Sequence, residues 1–87
     1  MIFIINLSLE IKVTPEDWQG LVKGLLKAEL KRRNMGYKEL VEKLAEFGIA
    51  ESERNIANKI SRGALTAVLL IQCLKAIGCH TIRITDA

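Results

Sequence analysis

Aromatic residues and proline are scarce in this sequence. Aromatic side chains make up 5% of its 87 residues, and there is a single proline. Hydrophobic residues nevertheless account for 49% of the chain and charged residues for 26%, which is the composition of a folded domain rather than a disordered one. The core must therefore be aliphatic. The chain suffices for one small domain, leaves little room for a spacious enzyme cleft, and favours extra stabilisation by oligomerisation.

The residue clusters that metal binding and catalysis require are also missing. Cys73 and Cys79 are the two cysteines, neither belongs to a CxxC pair, and the single histidine does not complete a zinc site with them. The sequence contains no nucleophile–base pair and no glycine-rich phosphate loop. We therefore predict that the protein is not an enzyme and uses no cofactor and no metal. So few cysteines are typical of a reducing compartment, which favours the cytoplasm.

Long apolar runs are absent as well. No stretch of 18 apolar residues exists, so no transmembrane helix is predicted. The apolar run at residues 1–5 is much shorter than the core of a signal peptide and has no positively charged segment before it. These features predict a cytoplasmic protein without membrane contact.

Residues 14–78 have the hydrophobic periodicity of helices. Capping residues and glycines divide this part of the chain into four predicted helices, at about 14–33, 37–47, 52–61 and 67–77. On the first helix, one apolar face carries Trp18, Leu21, Val22, Leu25 and Ala28. We expect Trp18 to anchor the core, and the alternative is that it is a hot spot of an interface.

Both ends of the chain alternate between apolar and polar residues. This period of two predicts an N-terminal β-strand arm at 1–13 and a C-terminal β-strand at 79–87. A long apolar strand with an unpaired edge invites a second copy, and the fourth predicted helix, apolar nearly all round, is typical of a central or interface helix. We therefore predict a homodimer, and the alternative is closure of the strands within one chain. The predicted dimer interface comprises Phe3, Ile5, Leu7, Leu9, Ile82 and Ile84.

The third predicted helix combines a narrow apolar stripe with an unusual polar arc. Ile56 and Ile60 form the stripe, and the opposite arc carries Arg54, Asn55, Asn58, Ser61 and Arg62. Arginine and asparagine form paired hydrogen bonds with the edges of guanine and adenine. An ordinary solvated face is the alternative, but such faces favour Glu and Lys, and asparagine is a poor helix former. The arc therefore favours DNA readout.

A basic cluster, Lys31-Arg32-Arg33, lies near the end of the first predicted helix. It complements the helix dipole, which is a sufficient structural reason for it, and it could also reach a phosphate backbone. Glu29 is one turn before Arg33, and we expect the two side chains to form an ion pair. Lys23 and Lys27 precede the cluster at the same four-residue spacing, on a face other than the apolar one.

The order of helices and turns is that of a helix-turn-helix domain. The predicted fold is thus mainly α, a four-to-five-helix helix-turn-helix domain at 14–78 with flanking N- and C-terminal β-strands. Residues 25–79 resemble the lambda-repressor-like (XRE-type) regulators of bacteria and phages, in the segments LKAELKRR, YKELVEKL and ERNIANKISRG. Still more similar is a family of short bacterial domains of unknown function that share the ERNIANKISRG-like segment, a resemblance that implies no established activity.

The regulator resemblance also implies a set of contact residues. Its recognition positions fall on Arg54, Asn55, Asn58 and Lys59, with Arg62 nearer the phosphates. The start of the first motif helix, a usual phosphate contact in that family, holds Tyr37 and Lys38 here in place of the family's glutamine.

From these observations we predict a dimeric, sequence-specific, DNA-binding transcriptional regulator that reads the major groove of double-stranded DNA with the helix at 52–62. The net charge of +3 and the pI of about 9.1 permit this partner without demanding it. The alternative is a protein-interaction module, such as an antitoxin or an accessory subunit, that keeps the fold without DNA readout. The mild charge favours this alternative, and so does a connection at 46–53 that is longer than the family's tight turn.

Overall fold

Four α-helices make up most of the described structure. The computed structural model describes residues 15–84, with side chains described from residue 17 onward. The helices are α1 (Pro15–Arg32), α2 (Tyr37–Glu46), α3 (Glu53–Ser61) and α4 (Ala67–Ala76). Every bound lies within one residue of the predicted one, and the prediction of a mainly α protein is confirmed.

The predicted flanking β-strands are wrong where they can be compared with the structure. Residues 15–84 contain no strand, and residues 79–84 of the predicted C-terminal strand have no regular secondary structure. An alternating pattern becomes a strand only when a neighbouring strand accepts its backbone hydrogen bonds, and the described part of the chain offers none. Ile82 instead packs, partly buried, against the helical core. The predicted N-terminal strand at 1–13 lies outside the described residues.

Local hydrogen bonds fix where the helices begin. The Ser52 hydroxyl accepts a hydrogen bond from the N–H of Asn55 at 3.0 Å, and the Thr66 hydroxyl accepts one from the N–H of Leu69 at 3.0 Å. Each satisfies one of the free N–H groups in the first turn of a helix. Because such caps depend only on neighbouring residues, the starts of α3 and α4 could be read from the sequence.

The core is aliphatic, as the composition predicted. α2 packs against α3 and α4, and α1 packs against the same two helices. The buried cluster consists of Leu26, Leu30, Leu40, Leu44, Ile56, Ile60, Leu69, Cys73, Leu74, Ala76 and Ile77. No helix within residues 15–84 combines the length and the apolar character needed to cross a membrane.

The buried face of α1 is not the predicted one. Its fully or nearly buried apolar residues are Leu26 and Leu30, whereas Leu21 is exposed and Trp18 is 58% exposed. The expectation that Trp18 anchors the core is therefore wrong. α1 has leucines on two adjacent faces, and its packing partners, α3 and α4, decide which of them is covered.

Glu29 is the one nearly buried charged side chain among the described residues, and both of its neighbouring arginines bind it. Arg33 Nη1 donates to one Glu29 carboxylate oxygen at 2.6 Å and to the Glu29 backbone carbonyl at 3.0 Å, and Arg32 Nη1 donates to the other carboxylate oxygen. The predicted Glu29–Arg33 ion pair is confirmed. Two arginines share one carboxylate, so the end of α1 carries less available positive charge than its sequence suggests.

This ion-pair cluster makes stability sensitive to acid. The hydrogen bonds from Arg33 and Arg32 hold the pKa of the Glu29 carboxyl below its ordinary value of 4.5. A carboxyl whose pKa is lowered on folding stabilises the fold above its unfolded-state pKa, and that contribution disappears as the pH falls through the folded-state pKa. We therefore expect Glu29→Gln to lower the melting temperature at pH 7, and the gap to wild type to narrow as the pH falls below the ordinary value of 4.5 and through the lowered pKa of Glu29.

Thermal unfolding followed by circular dichroism between pH 7 and about pH 3 measures this gap. Glu46→Gln is the matched control, because Glu46 is exposed and its oxygen lies 3.9 Å from Lys43 Nζ. Its melting temperature should follow that of the wild type at every pH. A gap for Glu29→Gln that stays constant across the pH range would contradict the assigned role of the ion pair.

Candidate nucleic-acid interface

α3 separates its apolar and polar residues onto opposite sides. Ile56 and Ile60 are both 0% exposed and fasten the helix to the core. The opposite side is exposed and carries the predicted arc Arg54, Asn55, Asn58, Ser61 and Arg62. Nine residues span about 13 Å at 1.5 Å per residue, so these side chains cover one compact surface, which we call the α3 face.

The long side chains of the α3 face have no partner within the described residues. Those of Arg54, Asn55, Asn58 and Arg62 form neither a hydrogen bond nor an ion pair there, and the one bond to Asn55 is made by its backbone N–H. Hydrogen bonding inside the folded domain therefore does not explain these residue types. They remain available as donors and, for the asparagines, as acceptors.

Lys59 differs from the other predicted recognition residues. It is half-buried, and its Nζ donates to the Glu51 carboxylate at 2.9 Å, where Glu51 is itself largely covered. This bond ties the connection between α2 and α3 to the body of α3. Ile49, in the same connection, packs against the core. The long connection is thus held in place at two points, and the Lys59 ammonium is already engaged within the fold.

The start of α2 carries Tyr37 and Lys38. Tyr37 is half-buried against the core, whereas Lys38 is exposed and has no ion pair in the described structure. An open groove of about 440 Å³ runs beside Tyr37. It is lined by Lys27, Leu30, Lys31, Asn34, Met35, Gly36 and Tyr37.

The end of α3 is fastened to the first half of α1. Lys23 Nζ donates to the backbone carbonyl of Ser61 at 3.2 Å. Gly63 follows in the left-handed conformation, with φ +62°, and lies so close to α1 that a Cβ placed on it would be 2.3 Å from the Gln19 carbonyl oxygen. These two contacts fix the angle at which the α3 face stands relative to α1.

The residues predicted for a dimer interface do not share one environment, and four of them lie outside the described residues. Ile82 is half-buried against the core, Ile84 is 66% exposed, and Phe3, Ile5, Leu7 and Leu9 lie outside the described residues. α4 adds two side chains that the predicted set did not include, because Val68 is 68% exposed and Ile71 is 57% exposed. The apolar character of α4 had indicated such a surface without showing which residues form it.

Cys73 has no reactive character. It is fully buried, and burial, together with the nearby negative charge of Glu51, raises the pKa of its thiol to about 11. A thiolate is the form that attacks electrophiles and binds metals. Cys73 therefore stays protonated and acts as a small apolar core residue.

A comparison with known protein families assigns the chain to one of them. The profile of a family described as "Domain of unknown function (DUF6471)" matches residues 18–82, which covers all of α2, α3 and α4 and most of α1. The chain belongs to this family. The resemblance to a short domain of unknown function is thereby confirmed, while the resemblance to XRE-type regulators stays a prediction. Searches of curated proteins and of solved structures return no significant match for this DUF6471 domain.

Proposed function

We propose that this DUF6471 domain is a sequence-specific transcriptional regulator that binds double-stranded DNA and reads the major groove with α3, in the manner of helix-turn-helix proteins. The observation that carries the proposal is the α3 face, on which Arg54, Asn55 and Asn58 are exposed and unpartnered while the opposite side of the helix is anchored in the core. Arginine reads guanine and asparagine reads adenine through paired hydrogen bonds. A rigidly seated helix presents those groups at low entropic cost.

The packing of α2 on α3 supports this proposal. The two helices contact each other directly, and the connection between them is held by the Lys59–Glu51 ion pair. A recognition helix that is fixed against its neighbour can enter the groove while the start of α2 approaches the backbone. Exposed asparagines lower the helical propensity of α3 without forming a bond within the described structure, which is the pattern expected of residues kept for binding.

We further propose that the regulator is a homodimer, with α4 rather than a β-strand at the interface. Val68 and Ile71 are exposed apolar side chains three residues apart on α4, and a two-fold axis there would bury the same surface on both copies. Two copies would also present two α3 faces to two half-sites. Sedimentation equilibrium of the unmodified protein tests the dimer, and a monomer at all concentrations would contradict it. We also propose that this regulator acts in the cytoplasm.

The test of the proposed function separates base readout from phosphate binding. We expect Asn58→Ala to relax the preference at one base position and to weaken binding to the selected site by about 1–3 kcal/mol. Arg62→Ala should weaken binding to all sequences alike and lower its salt dependence. Bound duplexes are selected from a random pool, and the affinity of each protein variant for the selected duplexes is then titrated; together these measure both effects. If neither variant alters binding, the assignment of the α3 face is wrong.

A second candidate is a protein-interaction module, such as an antitoxin or accessory subunit. The exposed apolar side of α4 favours it, because Val68 and Ile71 could serve a different protein as well as a second copy. A gel shift with random genomic fragments distinguishes the two functions. Absence of salt-sensitive binding at about 50 mM salt would favour the interaction module.

A further inference from the structure

Three lysines form a row along α1. Lys23, Lys27 and Lys31 follow one another at intervals of four residues, so successive side chains turn by only about 40° and lie about 6 Å apart along the helix axis. They belong to one side of α1 and lie on successive turns. We call these three residues the lysine row.

Ion pairs engage the two arginines at the end of α1 and just after it, but not the lysine row. Arg32 and Arg33 both bind Glu29, and elsewhere Lys43 pairs with Glu46 and Lys59 with Glu51. Within the described residues, by contrast, Lys27 and Lys31 have no carboxylate partner, and Lys23 binds a backbone carbonyl. The basic cluster at 31–33 is therefore divided, since Lys31 has no carboxylate partner in the described residues, whereas the two arginines share the single carboxylate of Glu29.

The lysine row connects the α3 face with the start of α2. At one end, Lys23 shares a small surface depression with Ser61 and Arg62, at the end of α3. At the other end, Lys27 and Lys31 line a groove together with Tyr37, at the start of α2. Arg62 and the lysine row thus form a continuous band of cations without a carboxylate partner in the described residues, which we call the basic band.

Few carboxylates oppose this charge. Glu39 lies in the first turn of α2, but its carboxylate accepts a hydrogen bond from the Gly36 N–H at 2.9 Å and is held at that backbone. Glu29 is already shared by two arginines. The basic band therefore presents a net positive surface directly beside the polar side chains that α3 exposes.

We propose that the basic band binds the phosphate backbone of DNA next to the bases read by α3, with Lys27 and Lys31 as phosphate contacts on α1. This proposal rests on the proposed function, and it specifies which side of the domain faces the duplex. An ammonium group binds phosphate as a point charge without a strict angular requirement. The lysine row could therefore hold the backbone while α3 takes the position that base contacts require. Arg32 and Arg33 bind Glu29 and are not part of the basic band.

The test compares two variants that lose the same charge. Lys27→Gln/Lys31→Gln removes two cations from the basic band, and Lys43→Gln/Lys75→Gln removes two from other surfaces, on α2 and α4. Binding to a duplex selected from a random pool is titrated between about 50 and 200 mM salt. Each lost phosphate contact should reduce the slope of log affinity against log salt by about 0.9, so the first variant should lose about 1.8. The second should keep the wild-type slope.

The sequence preference separates this proposal from the proposed function. An unchanged preferred sequence with a reduced slope supports the basic band, whereas an unchanged slope, or an equal reduction in both variants, overturns it. A wild-type protein that binds every duplex alike but loses slope in Lys27→Gln/Lys31→Gln would refute base readout by α3 and leave the basic band standing. No DNA binding by the wild type overturns both. Circular dichroism of each variant verifies that it is folded.

Discussion

Gly63→Ala is expected to lower the free energy of unfolding by about 3 kcal/mol or more, the largest effect of any single substitution considered for this domain. Gly63 has φ +62°, a left-handed conformation that costs an alanine about 1 kcal/mol. The larger part of the effect comes from α1. An added Cβ would lie 2.3 Å from the Gln19 carbonyl oxygen and 2.7 Å from its carbonyl carbon, so backbone rather than a flexible side chain would have to move.

Gly48→Ala is the matched control for this effect. Gly48 also has a left-handed backbone, with φ +79°, but a Cβ there would meet no heavy atom within 4 Å. Gly48→Ala should therefore lower the free energy of unfolding only by the cost of a left-handed alanine, about 1 kcal/mol. Urea unfolding of the two variants measures the difference directly. Equal losses would show that the close contact between Gly63 and α1 does not hold α3 in place.

Ile60→Ala is expected to lower the free energy of unfolding by about 3 kcal/mol, within the usual range for truncating a buried aliphatic side chain. Ile60 is 0% exposed, and with Ile56 it supplies the large apolar side chains that hold α3 against the core. A cavity at this position loosens the helix that carries the α3 face. Under the proposed function, DNA affinity should therefore fall as well, even at temperatures where the variant remains folded.

Ile71→Ala provides the comparison for Ile60→Ala. The same atoms are removed, but Ile71 is 57% exposed on α4, so a monomer should lose less than about 0.5 kcal/mol. Chemical unfolding and duplex titration of both variants give the two readouts. If Ile60→Ala loses no more stability than Ile71→Ala at low protein concentration, the apolar stripe of Ile56 and Ile60 is not what holds α3 against the core.

The contrast between α3 and α1 shows how far hydrophobic pattern can be trusted. On α3, Ile56 and Ile60 are separated from a polar arc, so one orientation buries apolar surface and the prediction agrees with the structure. On α1, leucines occur at 21, 25, 26 and 30, and several orientations would bury a comparable area. The choice among them depends on α3 and α4, which pack against α1.

Ion pairs, like buried faces, can be predicted from the sequence only when the residues involved are close along the chain. The sequence contains the cations at 31–33, and their spacing predicted the Glu29–Arg33 pair because the two residues are one helical turn apart. It did not reveal that Lys59 pairs with Glu51, since these residues are eight positions apart and meet only because the connection folds back on α3. Which cations remain available to a phosphate is consequently a property of the folded domain.

The sequence by itself determined the aliphatic core, the positions of the four helices and the polar arc of α3, because side-chain type, capping residues and helical period act over a few neighbouring positions. Only the tertiary structure decided that Leu26 and Leu30 are the buried residues of α1, that residues 79–84 form no strand, and that Gly63 touches Gln19. Each of these outcomes depends on which segments become neighbours in space. Burial, strand pairing and close backbone contact all require a partner that lies far away along the chain.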